Sequence, residues 1–471
     1  MRASIALFGS FLCGCGAAPE GNCFDGRERI HDPPPPSYDI KGSDRDGCAF
    51  GPDTTTDMTV GSDAPAVPDA VKHVIIVMHE NHSFDQYLGE YVHTDRNQTN
   101  YDPMSGVDVA PFHETRYCIT DANHEWGAAH LAFDNGNLDG FVANANDTDG
   151  TGGTMLNEGG GSRVMGYYTA DDLPFYYWLA ENFAISDHYF SSILGPTHAN
   201  LMFYYRATSC DVAEGFDTNP ALDACGHAEW PDYGTLASGP SIFDRLGGGN
   251  AKVYTASTRA PVSAAAGLTV FDPLKIGTIA DFEADVAADR LPSLAFVEPD
   301  YGDFSSMEND EHPPTNIQLG QNLSYRVVSA VIANPAVWGS TIMFLTWDEN
   351  GGFYDHVKPP HACAPDDVYK PVDFGFDNYG FRVPLIAVSP FAKKGYISSY
   401  TADHTSLVRF IEHWKHTGAM TKRDANAWPL LDMFDFTQTP AAITLDPALG
   451  AISADPAHIG TCNKHGGTGM P

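Results

Sequence analysis

Two short stretches place hard-cation ligands directly behind apolar runs. "ENHSFD" opens with Glu80 and Asn81 and adds Ser83 and Asp85 within six positions, following "VKHVIIVM". "TWDENGG" sets Asp348, Glu349 and Asn350 at the end of "STIMFLTW". Carboxylate and amide oxygens that converge in this way suit one divalent cation, because the ion needs several oxygen ligands and offsets their mutual repulsion. Glu80, Asn81, Asp348 and Glu349 are therefore the candidate metal ligands. Either pair alone also reads as a helix cap or a turn, whereas the repeated layout points to a metal.

A hydroxyl stands in "GPTHAN", where the Gly195-Pro196 turn exposes Thr197 at the start of an expected helix. Beside a metal that lowers its pKa, such a hydroxyl is a nucleophile. The competing reading is a Thr helix cap. Five histidines, His124 in "DANHEW", His130, His312 in "ENDEHPP", His356 in "GGFYDH" and His404 in "DHTS", fall in loops or at helix starts rich in Asp, Gly and Pro. Imidazoles placed there can hold phosphate oxygens or protonate a leaving group. Each also reads as a structural histidine.

Elements must bring these residues together. Six short β-branched runs, "VKHVIIVM", "NFAISD", "KVYTAS", "PSLAFVE", "STIMFLTW" and "VPLIAVSP", lack polar alternation and predict strands covered on both faces of a mostly parallel sheet. Helical spacing predicts three helices: one over "DLPFYYWLAENF" with Asp172 as cap, one stopping before Pro335, and one from Asp403 to Gly418. Strands alternating with helices give an α/β/α sandwich. In an open sheet of that kind ligands bind outside the carboxyl ends of the strands, where both acidic pairs fall. The glycine-rich stretch 149–163 predicts a flexible loop and lacks the ending of a phosphate-cradling P-loop.

Taken together, "ENHSFDQYLG", "GPTHAN", "ENDEHPP", "TWDENGGFYDHVKPP" and "DHTSLVRFIE" resemble the phosphoesterase family of bacterial phospholipases C, plant non-specific phospholipases C and acid phosphatases. That family is a branch of the alkaline-phosphatase-like superfamily. The resemblance runs from about Val71 to about Phe436. It implies one divalent metal, of unspecified identity, held by Glu80, Asn81, Asp348, Glu349 and the hydroxyl of Thr197, which also takes the position of the family's nucleophile. His198, His124 and His312 match positions close to the phosphate in relatives, and His356 matches the end of its block. The chain departs from the family pattern at His82, Ala199 and Leu201, which stand where relatives commonly have Arg, Pro and Arg. The loss of two cations bears on how strongly a doubly charged monoester would be held.

The expected activity is phospholipase C hydrolysis of phospholipids such as phosphatidylcholine through a phospho-threonine. The alternatives are an acid phosphatase of soluble monoesters and a non-catalytic surface lipoprotein. Residues 1–18 resemble a secretory signal with a lipobox at Cys15, residues 19–70 read as a Pro- and Asp-rich leader or linker, and 71–471 as one catalytic domain. The protein is thus expected to be exported, whether secreted, periplasmic or lipid-anchored, with peripheral membrane contact. A net charge of −35 disfavours nucleic acid as a partner. Export permits disulfides; by spacing, Cys210 with Cys225 and Cys23 with Cys48 are candidate pairs.

Overall fold

The structure is a computed structural model that describes residues 34–94, 97–146, 160–209, 241–246, 250–257, 276–301, 308–365 and 376–462. The expected signal, Cys15, Cys23, the Cys210–Cys225 pair and most of the glycine-rich stretch lie outside the described residues.

All six apolar runs form strands of one sheet. The strands are β1 (His73–His79), β2 (Ala184–Ser186), β3 (Ala251–Thr255), β4 (Ile276–Thr278), β5 (Leu294–Glu298), β6 (Thr341–Trp347), β7 (Leu385–Val388) and β8 (Tyr396–Ser398), in spatial order β8-β2-β7-β6-β1-β5-β3-β4. Every pairing is parallel except those of β7, which runs antiparallel to both β6 and β2. Every residue of β1 and β6 is buried, so both faces of the sheet are covered, as their unbroken apolar sequence requires. The architecture is an α/β sandwich around a mostly parallel sheet.

The covering helices include α1 (Phe84–Tyr87), α2 (Trp126–Phe133), α3 (Pro174–Asn182), α4 (Thr197–Arg206), α5 (Ile279–Ala287), α6 (Ile317–Ala333) and α7 (His404–Lys415). α6 stops before Pro335 as expected. α7 starts at a capping box formed by Asp403 and Ser406. It ends three residues short of Gly418, because His416 takes a left-handed φ of 54°. Asp172 is not the cap of α3, where Leu173 stands in that position. Its carboxylate instead accepts from His113 and Tyr117.

The described part of the expected leader is packed onto the domain. Residues 34–70 carry two helical turns, Gly42–Asp46 and Thr56–Thr59, and Val60 is fully buried. Arg409 of α7 donates to the Thr54 carbonyl and the Thr59 hydroxyl at 3.0 and 2.7 Å. Cys48 pairs with Cys363 rather than Cys23, and Cys118 pairs with Cys462. Sequence spacing favoured the near neighbour, whereas the fold brings together cysteines separated by 315 and 344 positions. The Pro-rich composition masked this packing, because its anchors are a few isolated side chains with no periodicity.

Candidate active site

β1 and β6 are adjacent, and their register pairs His79 with Trp347. The two strands therefore end at one level, and Glu80-Asn81 and Asp348-Glu349 leave the same sheet edge together. Backbone bonds lock the junction: Asp348 N–H donates to the His79 carbonyl at 3.0 Å, and Asn81 N–H donates to Asp348 Oδ1 at 2.9 Å. Asn81 has a φ of 67°, a left-handed conformation that asparagine tolerates. Gly351, with a φ of 61°, lies so close that a Cβ there would overlap the Asn81 carbonyl. The glycine after Asp348-Glu349-Asn350 thus lets the two ligand segments approach.

All four candidate ligands are buried. Burial, and then the charges of Asp348, Asp310 and Glu349, push the Glu80 carboxyl well above its usual range. Burial does the same to Glu349, with Asp348 adding to the effect and His124 opposing it. Asp348 is also raised by burial, against hydrogen bonds from the Asn81 and Glu349 amides. Asp348 Oδ2 and Glu349 Oε1 are buried without a hydrogen-bond partner. Orphaned carboxylate oxygens in such a crowd are unfavourable unless a cation or proton compensates them. The orphaned oxygens favour a hard cation, while among the described residues the carboxylates and imidazoles whose ligand atoms all lie within 4.8 Å of one another are Asp121, His124 and His312, and Asp85, Asp355 and His356, rather than Glu80, Asp348 and Glu349.

Thr197 is the first residue of α4; Pro196 occupies the cap position, and no side-chain oxygen caps the helix. The hydroxyl is thus free of the capping role that its sequence context allowed, and it lies 3.4 Å from Asn81 Oδ1. The positive end of the helix dipole favours an anion at this position. The turn is stapled by Asn200, whose amide donates to the Gly195 carbonyl at 2.9 Å and accepts from the amides of Ser192 and Ile193.

Two histidines face this group. His124 Nε2 lies 3.2 Å from Asn81 Nδ2 and 3.9 Å from Glu349 Oε1. His312 packs edge-on to it with ring centroids 5.5 Å apart. Nδ1 of each ring sits on a backbone carbonyl, that of Ala122 at 2.7 Å and that of Pro313 at 2.6 Å, so each donates there and leaves Nε2 for other partners. Asp121 completes the cluster, within ligand spacing of both rings. Burial lowers the pKa of His124, but the carboxylates of Glu349 and Asp121 outweigh it and hold the ring well above the ordinary histidine value. His198, the second residue of α4, is half-buried, and burial depresses its pKa against the pull of Glu125.

His356 lies in another cluster. Its ring Nδ1 bonds Asp85 Oδ2 at 2.7 Å, and Arg382 bridges Asp85 Oδ1 and Asp355 Oδ1 at 2.7 and 2.8 Å. Burial pushes the His356 pKa down, yet Asp85 raises it overall. This network joins the segment after Asn81 to the segment after Glu349, reinforced by the Ser83 hydroxyl donating to the Tyr354 carbonyl at 2.8 Å. Ser83 and Asp85 thus cap α1 and pair charges, while Glu80 and Asn81 remain at the strand end. His404 is fully buried, with Nε2 2.6 Å from the Asp348 carbonyl. His130 Nδ1 bonds the Trp126 carbonyl within α2. The sequence reading missed Arg382, Asp121 and Asn200; Asp121 opens the "DANHEW" block and Asn200 closes "GPTHAN", whereas Arg382 had no local signal.

The three departures from the family pattern are interior. His82 is stacked between Tyr87 and Phe353 at 4.3 and 5.3 Å, and Ala199 and Leu201 are buried in the hydrophobic core. Burial lowers the His82 pKa to about 4, so the ring is neutral.

The model of the Phosphoesterase family matches residues 71–416. The chain belongs to that family. It is 30% identical over 446 residues to "Phospholipase C A" of Mycobacterium tuberculosis, covering 83% of this chain and 82% of the relative. To "Non-specific phospholipase C6" of Arabidopsis thaliana it is 30% identical over 410 residues, covering 79% and 73%. Among solved structures, a protein in the alkaline phosphatase superfamily from Vibrio parahaemolyticus aligns with a TM-score of 0.35 at 9% identity, covering 77% of this chain and 71% of that one. The chain is a hydrolase acting on phosphoester bonds.

Proposed function

We propose that this phosphoesterase is an exported, metal-dependent phospholipase C that cleaves the glycerol-side P–O bond of phospholipids such as phosphatidylcholine. The observation that carries the reading is the Thr197 hydroxyl at a helix start, 3.4 Å from Asn81 Oδ1, beside the orphaned oxygens of Asp348 and Glu349. Relatives named phospholipase C support the substrate class. Glu80, Asn81, Thr197, Asp348 and Glu349 would hold one divalent cation. A bound cation would favour the alkoxide of Thr197 and the charge that develops on phosphate oxygens.

Thr197 Oγ1 gives up its proton to water and attacks phosphorus, an Oγ–P bond forms, and the P–O bond to diacylglycerol breaks. His124 and His198 orient the phosphoryl oxygens. His312 presents Nε2 and gives the proton that the departing glycerol oxygen takes. Water then attacks the phospho-threonine, returning one proton to His312 Nε2 and one to Thr197 Oγ1, and the phosphorylated head group leaves. We assign His356 to holding the two ligand segments in register through Asp85. The two disulfides and the relation of the N-terminal residues to a secretory signal support export.

Thr197→Ala is expected to lose several orders of magnitude in rate with the fold intact, Thr197→Ser to keep a measurable part, and acid quench to trap phosphate on Thr197. A folded, fully active Thr197→Ala would move the nucleophile's role to water. Turnover of p-nitrophenylphosphorylcholine should exceed that of p-nitrophenylphosphate. The opposite preference would make the chain a monoesterase.

A further inference from the structure

We propose that the hairpin formed by strands Asn100–Asp102 and Val107–Val109 is a membrane-seating element that inserts into the interface of a zwitterionic phospholipid bilayer. The inference rests on the phospholipase reading above and adds where the protein meets its substrate surface. Among the described residues seven large apolar side chains are exposed, and three of them, Tyr101, Met104 and Val107 at 53%, 76% and 56%, lie within one short hairpin. Leu131, 67% exposed on α2, belongs to the same lobe. Exposed apolar residues concentrated in one place mark an interaction surface, and the mixture of an aromatic ring with Met and Val on an exposed hairpin suits a lipid interface.

The turn is built so that its acid faces inward. Asp102 accepts from the Met104 amide at 2.9 Å, the Ser105 hydroxyl at 2.5 Å and the Asn146 amide at 2.6 Å. Its charge is therefore satisfied within the loop while Met104 is left outside. Asp108 is the exposed acid of the hairpin and stands opposite Tyr101. With no basic residue in residues 100–109 and a net charge of −35, the surface offers nothing to anionic lipid. A zwitterionic bilayer is the complement that remains, since apolar contact then proceeds without charge repulsion over the Debye length, about 8 Å at physiological salt.

The hairpin is tied to the catalytic lobe. Asn100 donates to the Leu138 carbonyl and accepts from the Phe141 amide, both at 3.0 Å. The helix Phe141–Ala145 that follows carries Asn144, which donates to the carbonyl of Asn123 at 2.8 Å, one residue before His124. A short chain of hydrogen bonds thus connects the seat on the lipid to a histidine of the site.

The test is Tyr101→Ser, Met104→Ser and Val107→Ser combined, at exposed positions where the fold should be unaffected. The melting temperature checks this. Sedimentation with phosphatidylcholine vesicles is read separately from turnover of soluble p-nitrophenylphosphorylcholine. The expected result is at least a tenfold loss of vesicle binding and of vesicle hydrolysis, with soluble turnover unchanged. Parent-like vesicle binding by the variant would overturn the proposal, as would a parent that fails to sediment with vesicles, which would leave the hairpin to a protein partner. Equal loss of soluble turnover would also overturn it, by making the hairpin part of the site. Vesicle binding by the parent without any turnover would overturn the phospholipase reading and leave the seat standing.

Discussion

Asp348 carries two opposed duties. One carboxylate oxygen accepts the amides of Asn81 and Glu349, at 2.9 and 2.7 Å, and the other is left unpaired. Asparagine at this position keeps an acceptor for both amides and removes the charge. Asp348→Asn should therefore abolish turnover, fold normally, and melt no lower than the parent in metal-free buffer, because acidic crowding around Glu80 and Glu349 is relieved. The parent should gain about 2.7 kcal/mol when a bound metal is supplied at a hundred times its Kd, and the variant should lose that gain. A metal-dependent rise in melting temperature equal to the parent's would remove Asp348 from the ligand set. These ligand candidates were legible because a strand end followed by acidic and amide residues is a contiguous pattern. His356, by contrast, was read alongside His124, since sequence alone does not tell which carboxylate an imidazole meets. The fold sends one ring to Asp85 and the other to Asn81 and Glu349.

Between elements, Arg382 does what no single strand can. Its guanidinium is buried, bridges Asp85 after β1 and Asp355 after β6, and donates to the Asp187 carbonyl behind β2. Opposing carboxylates raise its pKa despite burial, which alone would lower it. Removing one partner of a buried charge network leaves the others unpaired, so Arg382→Met should cost about 3–5 kcal/mol in chemical denaturation. Arg382→Lys should recover only part of that loss, because a point charge replaces a planar fork. A neutral outcome for Arg382→Met would mean that the network does not hold the ligand segments. The sequence signalled none of this: a lone Arg in "FRVPLIAV" reads as a solvated residue before a strand. The same limit applied to β7, since an apolar run has no direction and its antiparallel pairing comes from the connections. β4 (Ile-Gly-Thr) and β8 (Tyr-Ile-Ser) carry no continuous apolar run, so they did not stand out.

Over the whole molecule, the buried titratable groups outside the ligand set decide how stability varies with pH. Burial lowers His82 and His404 to about 4 and His79 to about 3. The unfolded chain binds protons at these rings near pH 6.5 while the folded chain refuses them, so stability falls as pH drops from 6.5 toward 4. Glu311 acts in the other direction. It is enclosed by Tyr176 and Trp347, which donate to it at 2.5 and 2.8 Å, yet burial raises its pKa to about 8. The folded chain therefore keeps a proton that the unfolded chain releases near pH 4.5, and stability is lost as pH rises toward 8. Below pH 6.5 the three histidines outweigh Glu311, and above it Glu311 lowers stability alongside other buried carboxyls whose pKa burial raises, Glu412 and Asp432 among them. Glu311→Gln removes the titration while keeping an amide of the same size between Tyr176 and Trp347. It should flatten the alkaline limb by up to about 1.4 kcal/mol per pH unit, the value of one proton, and steepen the acid limb between about pH 4.5 and 6.5 by a similar amount, because the opposing slope of Glu311 is gone. Denaturant titrations of parent and variant at pH 6.5, 7.25 and 8 measure that slope directly. Equal slopes in the two proteins would mean that Glu311 is already ionised in the fold, held by its two donors against the cost of burial.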